Sequence, residues 1–170
     1  MDLNKRTEHF PDNLGHRENE RFLEIVVLPS KGRAVVAKKL FSKGETVLQF
    51  MGQKKHVSEL SDLTHALQID QQTFLAPSGK IDDYVNHSCN PNTGIRNDSL
   101  GGVFLFALRN IEVGDEITFD YATTQSGGFA PMKCFCGEPN CRGIINDFKD
   151  LPRDRQEIYR NLGALLDYLF

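Results

Sequence analysis

The chain has 170 residues, 39% of them hydrophobic and 25% charged, with a formal net charge of −3. That length suits one domain with a short accessory segment. The slightly acidic balance argues against a primary nucleic-acid binder, which carries a basic face, and leaves room for a basic partner such as a lysine-rich peptide.

Residues 1–20 are polar and of mixed charge, and read as a loosely packed arm. They contain no apolar stretch of the kind that marks a secretory leader. No run of eighteen apolar residues occurs anywhere, so no membrane span is expected. Phe22–Leu28 is an apolar, β-branched strand candidate, followed by a turn at Pro29–Gly32. Arg33–Lys38 and Thr46–Met51 read as two further strands around a Lys43-Gly44-Glu45 turn. Ser58–Thr64 is expected to form a short helix, and His65–Ile69 and Thr73–Ala76 short strands. Thr93–Arg96 and Val103–Leu108 flank a Gly101-Gly102 turn, and Ile117–Phe119 is the last strand. Gln125–Pro131 reads as a Ser/Gly-rich linker. The tail opens with a helix-start signal at Asp150–Pro152. Ile158, Leu162, Leu165 and Leu169 then form one apolar stripe at three- and four-residue steps. That stripe packs on the domain or serves as a dimer contact. Many short strands, few helices and no Gly-x-Gly-x-x-Gly disfavour a doubly wound nucleotide fold.

The four cysteines are Cys89, Cys134, Cys136 and Cys141. Cys134 to Cys141 form a C-x-C-x4-C cluster, whose three thiols can face one point on a tight loop turned by Gly137 and Pro139. Cys89 completes the count that a four-thiolate tetrahedral zinc site requires, leaving no open coordination position, so the metal is expected to be structural. The alternatives are a disulfide or free buried thiols, although closing a ring over one intervening residue is strained.

Cys89 lies in Tyr84-Val85-Asn86-His87-Ser88-Cys89-Asn90-Pro91-Asn92. Downstream stands Gly114-Asp115-Glu116-Ile117-Thr118-Phe119-Asp120-Tyr121. With the cysteine cluster and the trailing Arg142-Gly143, these segments resemble the SET and post-SET signatures of protein-lysine methyltransferases over about residues 22–146. The resemblance implies a mainly β, SET-domain β-clip with pseudoknot-like threading, in which the Asn86-His87 segment and the one ending in Tyr121 lie side by side. It implies a division into the arm at 1–20, a SET domain at 21–124, a post-SET zinc segment at 125–146 and a C-terminal helix at 147–170. It implies S-adenosylmethionine as methyl donor. The donor site would comprise Lys31, Gly32, Arg33 and Ala34, where the family usually reads Gly-x-Gly, together with Tyr84, Asn86 and His87, with Phe135 covering the adenine. The family often carries Arg one place before that tyrosine; here it is Asp83.

For the chemistry, the resemblance points to Tyr121, whose hydroxyl would face the methyl and the amine. Phe119 occupies the position that sets product state, and Phe50 stands where a tyrosine usually lines the lysine channel. A phenyl at 119 lacks the hydroxyl that would hold an extra water, which favours di- or trimethylation. Asp82, Asp83, Glu112, Asp115 and Glu116 offer acid to a basic peptide or are solvated surface charges. Asp120 is expected to be structural. The expected substrate is a lysine of a histone tail or other basic protein, in an intracellular setting: nuclear or chromatin-associated in a eukaryote, otherwise cytoplasmic or host-directed. The other readings are a peptide-binding module that has lost turnover, motivated by Ala34 and Phe50, and a zinc-stabilised scaffold using the C-terminal helix.

Overall fold

The computed structural model describes residues 19–29 and 31–170, so the expected N-terminal arm lies outside the described residues except for its last two positions. β1 (Leu23–Leu28) and β2 (Gly32–Ala37) form an antiparallel hairpin, closed by Gly32 at φ 72°, a left-handed conformation that glycine adopts at no steric cost. Leu23, Val35 and Ala37 enter the core, while Ile25 and Val27 face outward.

The centre of the molecule is a three-stranded sheet. β9 (Val103–Ala107) lies between β3 (Thr46–Phe50) and β8 (Thr93–Asn97), antiparallel to both. The two-residue alternation of a strand explains why β9 is buried along its whole length. Val103, Leu105 and Ala107 join the main core with Phe41, Val47, Leu48, Ile95, Ile111 and Ile117, and Phe106 points the other way, into a second core. That second core contains Ala122, Phe148, Leu151, Tyr159, Ala164 and Leu165, so the C-terminal segment is packed onto the sheet. β8 permits the close approach because Gly94 has no side chain; a Cβ there would come within 2.6 Å of the Ala164 methyl.

A second small sheet holds β4 (Lys54–His56), β6 (Thr73–Leu75) and β5 (Leu67–Gln68) in that order. β4 carries no apolar alternation and was not expected. The expected helix over 58–64 is a single 3-10 turn at Val57–Glu59. Asp62 stops any continuation, since its carboxylate accepts hydrogen bonds from the backbone N–H and hydroxyl of Thr64 at 2.9 and 2.8 Å, closing a local turn instead. The strand expected from His65 is confined to Leu67–Gln68, and His65 itself lies at φ 60°, outside strand geometry.

The feature that builds the site is a parallel pair. β7 (Asn86–His87) lies against β10 (Thr118–Phe119), with Asn86 opposite Thr118 and His87 opposite Phe119. The β8–β9 hairpin occupies the chain between them. Beyond β10, β11 (Met132–Lys133) and β12 (Ile144–Ile145) clasp the base of the cysteine loop. The helix α1 (Arg153–Leu162) ends where Gly163 takes φ 58°, a glycine C-cap. This corrects the expected stripe. Leu165 and Leu169 lie beyond the cap, Ile158 and Leu162 are 43% and 44% exposed, and the helix residue that is buried is Tyr159.

Candidate active site

Phe50 at the end of β3, Phe119 at the end of β10 and Tyr121 beyond it form an aromatic cluster. Phe50 and Phe119 meet edge to face at 5.6 Å between ring centroids, and Phe119 and Tyr121 lie at 4.8 Å. All three line a cavity of about 480 Å³, whose other walls come from the 62–68 segment, Thr124, Gln125 and residues 129–132. The stretch expected to be a simple linker is therefore a wall: Phe129 packs edge to face on Phe74 at 5.8 Å. Among the described residues that line the cavity are Asp62, Asp82 and Asp83 and no lysine or arginine. Two of these carboxylates are held rather than loosely solvated. Asp82, which is buried, accepts from Met51 N–H at 2.9 Å and the Ser78 hydroxyl at 2.7 Å, and Asp83 accepts from the Ser78 and Gly79 backbone N–H groups.

Tyr121 is fixed from three sides. Its hydroxyl donates to the Val85 carbonyl at 2.7 Å, its backbone N–H donates to His87 Nδ1 at 3.2 Å, and its ring meets the His87 ring at 5.4 Å. Burial, with a smaller contribution from the Glu116 charge, pushes its phenol above the ordinary tyrosine range, so the hydroxyl stays protonated. Burial also pushes the His87 imidazole down to about 4, against the opposite pull of Asp120, so His87 is neutral at neutral pH.

On the other side of β7, Asn86 donates its side-chain amide to the Arg33 carbonyl at 3.0 Å and to Glu116 at 2.9 Å. Glu116 in turn pairs with Lys31 at 2.7 Å. Arg33 donates to the Tyr84 hydroxyl at 2.8 Å and lies over its ring. Lys31, Arg33, Tyr84 and Asn86 thus converge, with Glu116 joining Lys31 to Asn86 and the Asn86 amide reaching Arg33. A Cβ built on Gly32 meets nothing within 4 Å, which leaves the backbone of that turn open to a ligand. Ala34 is fully buried in β2 opposite Val26, on the face of the hairpin opposite to that of Val35 and Ala37. Phe135 is 78% exposed.

Cys89, Cys134 and Cys136 gather, while Cys141 stands outside the set of ligand atoms that all lie within 4.8 Å of one another. Cys89 and Cys134 have Sγ atoms 3.8 Å apart, and the Cys136 thiol contacts those of Cys134 and Cys141. Tetrahedral zinc with arms of about 2.3 Å would separate two sulfurs by about 3.8 Å. Backbone N–H groups of Arg142 and Gly143 point at Cys89 Sγ and Cys141 Sγ, each at 3.4 Å. The ligand atoms that lie within 4.8 Å of one another are those of His87, Cys89, Cys134 and Cys136, with His87 Nε2 3.3 Å from Cys89 Sγ. The cluster could hold a zinc ion.

One buried carboxylate ties these parts together. Asp120 is 1% exposed. It accepts both arms of the Arg142 guanidinium at 2.7 and 2.8 Å, and the Tyr159 hydroxyl of α1 at 3.0 Å. The cysteine loop, the helix and the Phe119–Tyr121 strand end therefore meet on one carboxylate.

A family model described as the SET domain matches residues 32–122. The histone-lysine N-methyltransferase Set2 of Drosophila melanogaster is 30% identical over 142 residues, covering 74% of this chain but 6% of the relative. The Arabidopsis thaliana histone-lysine N-methyltransferase ASHR3 is 29% identical over 160 residues, covering 84% of this chain and 32% of the relative. The chain thus spans less than half the length of these curated relatives. Among solved structures, KRYPTONITE in complex with mCHH DNA, H3(1-15) peptide and SAH matches with a TM-score of 0.60 at 25% identity, covering 72% of this chain and 29% of that one. The methyltransferase domain of human SETMAR matches with a TM-score of 0.60 at 23% identity over 74% of this chain and 58% of that one, a likeness of fold. With the family model covering more than half of the sequence, and the parallel β7–β10 pair setting Asn86-His87 beside Tyr121, this chain belongs to the SET-domain family.

Proposed function

We propose that the protein is an S-adenosylmethionine-dependent protein-lysine N-methyltransferase that acts on a histone tail or another basic protein. The observation that carries this reading is the placement of Tyr121, at the wall of an aromatic cavity and against the Asn86-His87 strand. The relatives named above are histone-lysine methyltransferases, and KRYPTONITE holds an H3 peptide and SAH, which supports both donor and substrate class. Three aspartates with no lining cation suit a lysine-bearing peptide.

When bound, S-adenosylmethionine supplies an electrophilic methyl group on a sulfonium. The Gly32 turn, the Asn86 amide and the Arg33–Tyr84 pair present an open backbone, a fixed amide and a cation on an aromatic face, which suit a ligand bearing an amino acid and a purine. The acceptor must be a neutral amine, yet a free lysine of pKa about 10.4 is neutral in about one molecule in 2,500 at pH 7. Phe50, Phe119 and Tyr121 exclude water around it, and desolvation lowers an amine's pKa. Tyr121, kept protonated, holds the amine in line through its oxygen, and water takes the released proton. Phe50 and Phe119 bring no hydroxyl to the channel, which leaves room for a methylated amine and favours di- or trimethylation.

A structural zinc would sit on Cys89, Cys134, Cys136 and Cys141. His87 is a poor fourth ligand despite its proximity. A neutral imidazole bound through Nε2 carries its proton on Nδ1, and here Nδ1 faces the N–H of Tyr121. With the proton on Nε2 instead, His87 donates to the Cys89 sulfur and links the metal loop to Tyr121.

Transfer of labelled methyl from the donor onto histones and histone-tail peptide arrays, read by mass spectrometry, tests the proposal. Lysine methylation that proceeds to the di- or trimethyl state is expected of the wild type. Donor binding without transfer would favour a peptide-binding module instead, and no donor binding would favour a scaffold.

A further inference from the structure

The cavity beside Tyr121 has two walls that come from distant parts of the chain: the 62–68 segment, and the stretch from Thr124 to Met132. The second wall is anchored to the C-terminal segment. The Tyr168 hydroxyl donates to the Thr124 carbonyl at 2.5 Å, and the Phe148 N–H donates to the Gln125 carbonyl at 3.0 Å. Buried Asp147 accepts the Gly128 N–H with both oxygens, at 3.2 and 3.0 Å. Gln68, a buried residue of β5, ties this wall to the other one. Its side-chain oxygen accepts the Ser126 N–H at 3.0 Å, and its amide nitrogen donates to the Ser126 hydroxyl at 3.3 Å. The same nitrogen donates to the carbonyls of Asp70 and Gln71 at 3.2 and 3.1 Å, which fixes the amide on the β5–β6 hairpin. Phe74, opposite Gln68 in that hairpin, adds its ring contact with Phe129. Aromatic rings can slide over one another. A buried amide with its bonds made resists displacement, because moving it leaves polar groups unpaired.

We propose that Gln68 is a positioning residue for the acceptor peptide: by tying Ser126 to β5 it holds the two cavity walls at the spacing into which the lysine-bearing peptide fits. This rests on the methyltransferase reading. Gln68 acts through the 124–132 wall and not by touching the peptide. Walls that are already set avoid an ordering cost on binding, so the effect belongs to peptide affinity. Tyr121 is held separately, by Val85 and His87, so the methyl-transfer step does not depend on the tie.

The test uses the full chain and the histone-tail peptide that binds best on an array. Gln68→Met keeps the length and removes the amide. It is expected to raise the peptide KM about tenfold with kcat held within about twofold, and with donor Kd and zinc content unchanged. Ser126→Ala removes one bond from the opposite wall and is expected to raise KM about threefold. Added to Gln68→Met it should change nothing further, because both substitutions cut one tie. Gln68→Glu keeps an acceptor for the Ser126 N–H and should recover part of the loss. A Gln68→Met protein with a lowered Tm and an unchanged KM overturns the proposal, since the amide then serves the fold alone. Effects on KM that multiply in the double variant overturn it too. If Gln68→Met does not fold, Ser126→Ala decides: a raised KM supports the tie and an unchanged KM overturns it. Peptide Kd from fluorescence anisotropy separates this proposal from the reading beneath it. If the wild type transfers no methyl but binds the peptide with the same dependence on Gln68 and Ser126, the methyltransferase reading falls and the positioning role stands. If the wild type binds no histone-tail peptide, both fall.

Discussion

Tyr121 owes its expected role to one oxygen, and the substitution that isolates it is Tyr121→Phe. The phenyl ring keeps its contacts with Phe119 and His87, so fold and zinc content should persist while methyl transfer falls on the order of a hundredfold or more, as when a single preorganised polar group is lost. Retained transfer in a labelled-donor assay would remove Tyr121 from the chemistry. Its pKa carries a second prediction. Because the phenol is pushed above the usual tyrosine value, it stays protonated as pH rises, while the acceptor lysine becomes neutral. The transfer rate should therefore climb from pH 7 to pH 9, with no falling limb from Tyr121 in that range. A pH–kcat/KM profile with a downturn below pH 9 would contradict it. At this scale the sequence was partly legible. Cys134, Cys136 and Cys141 announce themselves by short spacing, and Tyr121 by its motif. Glu116 did not, since its partners Lys31 and Asn86 lie 85 and 30 residues away and a lone glutamate looks like a solvated charge.

Among the elements, the cysteine loop and helix α1 were expected to pack on the body of the domain, and both are fastened to the end of β10 through Asp120. Arg142 and Tyr159 approach that carboxylate from 22 and 39 residues away. No local period encodes such a meeting, so Asp120 could be read only as structural. The same limit explains α1. Its apolar stripe ran past Gly163, and the residue that pins the helix, Tyr159, is chosen by a buried hydrogen bond rather than by hydrophobic spacing. β4 escaped notice because Lys54-Lys55-His56 has no alternation for a pattern to reveal. Two outcomes follow. Asp120→Ala leaves a half-buried guanidinium without its partner and should cost about 3–5 kcal/mol, measured by denaturant unfolding. Removing zinc with a chelator should loosen the β11–β12 clasp and abolish donor binding, while the β3–β9–β8 sheet remains folded by circular dichroism. Retained donor affinity in the metal-free protein would separate the loop from the site.

Among the described residues, two cores share β9, and the smaller of these is closed by Ala122 and residues 148–165. A chain cut before Arg153 would expose Phe106, Ala122 and Phe148 together, and it should aggregate or melt well below the full-length protein in a thermal scan. The broad architecture was readable, because short strands and glycine turns follow local rules; the parallel meeting of β7 and β10 came only through family resemblance, since strands 31 positions apart advertise no pairing. That meeting also sets an order of events during synthesis. The ribosome releases Asn86-His87 long before its neighbour strand, and Arg142 and Tyr159 later still, so the cradle around Tyr121 assembles only after Tyr159 has emerged. Chains terminated before Tyr159 should consequently lack a formed site, read as loss of donor binding.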